Sequence, residues 1–152
     1  MSVKTKCIFE PIEESDGRRI LITRYYPRGV KKEHFDEWVY ALSPSPKLLF
    51  SYKKGEKTWD EFMWAFIDEI RRNDTSVEAI QALNDASKSE DITLLCYEKS
   101  GRPCHRHLVR DLVAAPVLLS ASLETKHAND HEAGKMSGHV PNEKAKVVSL
   151  LS

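Results

Sequence analysis

The sequence predicts an α/β domain with a small, mostly parallel sheet, an antiparallel N-terminal hairpin and flanking helices. Three observations predict it. Two β-branched runs bracket an Asp-Gly dipeptide near the N-terminus; Thr-x-x-Glu capping pairs precede stretches with apolar residues at helical spacing; and a short, continuous apolar run, ITLLCYE, follows a polar turn late in the chain.

The first two strands are expected near 4–10 and 19–26, joined through Asp16-Gly17 as a hairpin. Pro27-Arg28-Gly29 stops the second, since proline donates no ladder hydrogen bond and glycine frees the backbone to turn. In KKEHFDEWVYAL, residues Phe35, Trp38, Val39 and Leu42 fall at helical spacing, which predicts a helix ending near Ser43-Pro44. PKLLFSY suits a further turn or two of helix. Thr58 and Glu61 form a capping box ahead of Trp59, Phe62, Met63, Phe66, Ile67 and Ile70, and Thr75 with Glu78 repeats the signal for a helix reaching about Ser87. The run at 92–98 reads as a strand buried on both faces. Pro103 suits the first turn of a last helix, whose apolar positions are Leu108, Val109, Leu112 and Val113. Because helices separate the second strand from the run at 92–98, those two are expected to be parallel.

A chain of 152 residues fits a single domain, expected at 1–123, followed by a flexible tail at 124–152 with no apolar period. Removing everything after Glu124 is expected to leave the melting temperature nearly unchanged. At 41% hydrophobic and 30% charged residues the composition is globular, and no apolar run approaches the roughly 20 residues that cross a bilayer. The N-terminus lacks the apolar core and cleavage site of a secretion signal, so a cytoplasmic protein is expected. With Cys7, Cys96 and Cys104 reduced there, no disulfide framework is expected. Basic and acidic residues balance at 23 each, so no overall field holds the chain on nucleic acid or anionic lipid. Any anion site must be local.

Two loops carry the chemistry. In open α/β sheets ligands bind outside the carboxyl ends of parallel strands. One such end runs through Arg24, Arg28 and Gly29; the other runs from Cys96 and Glu98 through Arg102 to Cys104, His105 and Arg106. Parallel strands open both loops on one edge, and the first turn of the last helix adds free backbone N–H groups beside the arginines. Arg24, Arg28, Gly29, Arg102 and Arg106 are thus the candidate ligand-binding residues for a small anionic or phosphorylated ligand, a nucleotide or nucleic-acid end included. Cys96, Glu98, Cys104 and His105 are the candidate catalytic residues.

Cysteine chemistry has several forms here. CYEKSGR has the Cys-x5-Arg spacing of thiolate phosphatases, with one glycine in the loop. Cys104, placed at a helix N-terminus beside His105 and Arg106, is expected to be the most reactive thiol, with Cys96 next and Cys7 inert. A metal reading would use Cys96, Cys104 and His105, with His107 as a fourth, but a structural zinc site wants four convergent ligands in paired short spacings, which one seven-residue gap followed by a Cys-His dipeptide does not supply, so no metal and no cofactor are expected. Trp38, Trp59 and Trp64 are expected to pack, with Trp64 off the main stripe of its helix.

Certain motifs resemble a known family: Arg-x-x-Pro-Arg-Gly at Arg24, Pro27, Arg28 and Gly29; Asp36-Glu37-Trp38 ahead of Ser43-Pro44-Ser45; and Leu-Cys-x-Glu at Cys96 and Glu98 followed by Cys104-His105-Arg106. Over about residues 17–113 the chain resembles the prokaryotic YeaO-like family, domain of unknown function 488. The resemblance implies a compact α/β domain and points to the same strand ends, without supplying a reaction. An arginine at the position of Arg102 is not part of the family pattern, which counts against the phosphatase-like loop.

Three functions compete on this basis. An anion-binding or catalytic pocket needs an open crevice with unpaired arginines. A noncatalytic interaction module pairs the arginines internally to brace the loops. A redox pair needs the Cα atoms of Cys96 and Cys104 within about 7 Å.

Overall fold

A computed structural model describes residues 2–99 and 101–120; the expected tail lies outside the described residues. Four strands, β1 (Val3–Cys7), β2 (Arg18–Leu21), β3 (Glu37–Trp38) and β4 (Ile92–Cys96), form one sheet in the order β1-β4-β2-β3. Every pairing is parallel. Helices α1 (Pro46–Lys53), α2 (Trp59–Arg72) and α3 (Asp74–Ser87) lie between β3 and β4, and α4 (His105–Ala114) follows β4. The α/β class with a small parallel sheet is therefore the observed architecture. No helix among the described residues is long and apolar enough to cross a membrane.

The expected antiparallel hairpin does not form: β4 inserts between β1 and β2, with Val3 and Arg18 both in register with Ile92. The reason is composition. All five residues of β4 are buried, so it takes the position flanked on both sides, while Lys4 and Lys6 suit β1 to an edge. Asp16-Gly17 closes a 3-10 turn, and Gly17 at φ 64° lies where a Cβ would stand 2.2 Å from the Asp91 carbonyl oxygen.

The helix expected across 31–42 is also replaced. Two 3-10 turns, Lys32–His34 and Tyr40–Leu42, flank the short β3. Here the backbone of β2 overrides side-chain periodicity: the Asp36 N–H donates to the Arg19 carbonyl at 2.8 Å and the Val39 N–H to the Leu21 carbonyl at 2.8 Å. The Thr58–Glu61 capping box is present as expected. The second box is not; Asn73 caps α3 instead, its side-chain oxygen accepting from the Thr75 and Ser76 N–H groups. Pro103 precedes the N-cap residue, Cys104, and so stands outside α4.

Strand alternation sorts the core. Ile20, Ile92 and Leu94 face the layer of helices, packing with Leu48, Phe66, Ile80 and Val109. Leu21 and Leu95 face the other way, against Ile8 and Val30. On that second face Asp16 and Arg19 are buried as an ion pair, and Thr93 donates to the Asp16 carbonyl at 2.7 Å.

Candidate functional site

A cavity of about 540 Å³ opens at the carboxyl ends of β2 and β4. Parallel pairing places the two loaded loops side by side, as strand order alone requires. From the sequence candidates the cavity gathers Arg24, Arg28, Cys96, Glu98, Arg102, Cys104 and His105. Gly29 and Arg106 are not among its lining residues. Gly29 has φ 74° and turns the chain after Arg28; it serves the loop's shape.

The arginines divide into two kinds. Arg28 and Arg102 are exposed, and their guanidinium groups make no hydrogen bond or ion pair to the described residues, although the Arg102 backbone N–H donates to the Lys99 carbonyl at 3.3 Å. Arg24 donates to the carbonyls of Pro44 at 2.9 Å and Ser43 at 3.2 Å, and its guanidinium lies over the Tyr40 ring. Arg106 is 1% exposed, and its two terminal nitrogens hold the carbonyls of Glu98 and Lys99. Arg106 is thus a brace that ties α4 to the loop after β4, because a buried guanidinium must find acceptors. The Cys-x5-Arg loop does not close on a helix start: α4 opens at His105, and Arg102 stands exposed before it.

The floor holds Cys96, Cys104 and His105, all buried. The Sγ atoms of the two cysteines are 2.9 Å apart, Cys104 donating. The His105 Nδ1 lies 3.8 Å from Cys96 Sγ and 3.7 Å from Cys104 Sγ. Its Nε2 is 2.7 Å from the Ile22 carbonyl oxygen, and Phe66 meets the ring edge-on, so both face and tilt of the imidazole are set. The hydrogen bond from Cys104, aided by the charge of His105 against burial, holds the Cys96 thiol well below its ordinary range. The same hydrogen bond, with burial and the Cys96 charge, pushes Cys104 upward. Burial lowers the His105 value, but the adjacent Cys96 charge and hydrogen bond outweigh it and raise the pKa.

The expectation placed the more reactive thiol at Cys104; the hydrogen bond between the two sulfurs favours the charge on Cys96. Cys104 does sit at the N-cap of α4, yet its side chain is buried at the pocket floor beside another sulfur, and one negative charge in that space excludes a second. Cys7 ends β1 buried, its thiol 3.5 Å from the Tyr97 carbonyl oxygen.

The far wall comes from residues outside the two loops that the sequence marks. Tyr52 and Lys53 of α1 and Trp59 and Phe62 of α2 line it, with Trp59 stacked on Phe62 at 5.3 Å. No spacing in the sequence marks them, since the crossing of α1 and α2 over the strand ends is a tertiary event. Trp64 packs, half-buried, against the main core, and Trp38 donates its indole N–H to the Thr23 carbonyl.

Comparison with known proteins agrees with the motif resemblance. The chain is 29% identical over 113 residues to uncharacterized protein YeaO of Escherichia coli, covering 73% of this chain and 96% of that one. It is 29% identical over 70 residues to uncharacterized protein Rv3073c of Mycobacterium tuberculosis and, equally, to Mb3100c of Mycobacterium bovis, covering 45% of this chain and 59% of each relative. No solved structure matches it. A family model described as the active DUF488-N3 subclade matches residues 3–116, and the chain therefore belongs to the DUF488 family.

Proposed function

We propose that the chain binds a small anion bearing a flat ring, a nucleotide being the simplest example, in the pocket at its strand ends. One observation carries the proposal. Arg28, Arg102 and Lys53 stand exposed on the pocket lining without an ion-pair partner among the described residues, against a single lining carboxylate, Glu98, in a chain of zero net charge. Local positive excess in a balanced protein concentrates anions where a cleft focuses the field. The N-terminal end of α4, at His105, reaches the same lining and adds the positive end of its dipole. Tyr52 and Trp59 supply faces on which a planar ring stacks.

Arg24 and Arg106 hold backbone carbonyls and brace the loops around the pocket. A thermal-shift screen with adenine nucleotides, ribose 5-phosphate and inorganic phosphate tests the proposal, since a ligand at a hundred times its dissociation constant adds about 2.7 kcal/mol. Arg28→Ala is expected to weaken nucleotide binding about tenfold to a hundredfold, because a charge-assisted bond is worth about 1.5–3 kcal/mol, with the ligand-free melting temperature unchanged. No stabilisation by any of these anions, or unaltered affinity in Arg28→Ala, overturns it.

A further inference from the structure

We propose that Cys96, Cys104 and His105 form a binding site for a zinc-like divalent cation, with its fourth position open to the pocket. The ligand atoms of these three buried residues lie within 4.8 Å of one another and line the same cavity. Two thiolates and an imidazole are the donor set of borderline-soft metals; the absence of an oxygen donor from the trio disfavours magnesium and calcium.

Geometry supports the assignment in three ways. Tetrahedral zinc, with bonds of about 2.3 Å to sulfur and about 2.0–2.1 Å to nitrogen, sets neighbouring donors about 3.5–3.8 Å apart. The His105 Nδ1 is already 3.7 and 3.8 Å from the two sulfurs. The sulfurs, at 2.9 Å, have to part by a little under an ångström, which a small χ1 rotation at each cysteine provides. Second, the His105 Nε2 contact with the Ile22 carbonyl is the outer-sphere bond that fixes a ligating histidine, leaving Nδ1 as the free donor. Third, charge balances: a dication with two thiolates and a neutral imidazole is uncharged, so it can occupy a buried floor beside Arg106. Two protons leave the cluster for each ion bound.

A disulfide between Cys96 and Cys104 competes for the same sulfurs, but it makes no use of an imidazole placed nearly equidistant from both. Three protein ligands also leave one position for water or a ligand atom, the arrangement of catalytic rather than structural zinc. The inference is independent of the anion proposal, since the cations of the mouth and the donors of the floor share no residue.

The test is titration of cobalt(II) into the reduced, chelator-treated full-length protein without oxygen. One equivalent is expected to give a thiolate-to-cobalt band in the near ultraviolet and the visible bands of a tetrahedral ion. Cys96→Ser and Cys104→Ser are each expected to lower affinity at least tenfold, and His105→Ala to do the same. Cys7→Ser is expected to bind as wild type, as is a chain with His127, His131 and His139 all replaced by alanine. Absence of the thiolate band in the wild-type protein overturns the site, as does a band that survives both single cysteine variants or disappears with the tail histidines. Should a cysteine variant not fold by circular dichroism, the wild-type protein decides: one equivalent of zinc is expected to protect Cys96 and Cys104 from alkylation while leaving Cys7 unaffected, and equal labelling with and without zinc sinks the proposal. Arg28→Ala is expected to keep the cobalt spectrum, so loss of nucleotide binding and loss of the metal are read separately.

Discussion

Cys104 donates its S–H to the Sγ of Cys96 across 2.9 Å, so two buried thiols eight residues apart in the chain are chemically unequal. In reduced, metal-free protein Cys96, the acceptor, is expected to be alkylated by iodoacetamide faster than Cys104, the donor, at neutral pH. Cys7, outside the pocket lining, is expected to be slowest. Labelling for a fixed time and reading modified peptides by mass spectrometry, with denatured protein as reference, checks the order. Faster modification of Cys104 would place the shared proton on the other sulfur and restore the order that helix position alone suggests.

Arg106→Ala is expected to cost about 3 kcal/mol in urea unfolding, since two bonds from a charged donor to the Glu98 and Lys99 carbonyls are lost in a buried setting. Arg106→Lys keeps the charge but cannot span both acceptors, and it should fall between. Stability within about 0.5 kcal/mol of wild type in the alanine variant would show that the guanidinium is free to serve a ligand.

Asp16 couples stability to pH. Burial raises its pKa, but the Glu13 N–H and the Lys6 and Arg19 side chains outweigh that and lower it below the ordinary value. A depressed carboxylate contributes stability that is fully present above the unfolded pKa, about 3.9, and is lost as pH falls through the folded one. Asp16→Asn is expected to cost about 3–5 kcal/mol at pH 7, because Arg19 stays buried without its anion. The gap to wild type should narrow as the pH is taken toward 3; a gap that stays constant would remove Asp16 from the acid response.

Local signals in the sequence determined the elements whose cause is local. The Thr58–Glu61 box, the apolar stripe of α2 and the unbroken run of β4 each act through neighbours a few residues away, and each stands where the sequence places it. The strand ends as the location of the pocket were legible too, because parallel order dictates which loops share an edge. Tertiary structure alone decided the rest. Whether β1 pairs with β2 or β4 depends on which strand is buried on both faces, a competition between segments almost ninety residues apart. The stretch 31–42 obeyed the open hydrogen-bonding edge of β2 rather than its own period. The inward turn of Cys104 and the division of the arginines into braces and free cations depend on which carbonyls and sulfurs the fold brings within about 3 Å, and spacing along the chain carries no record of that distance.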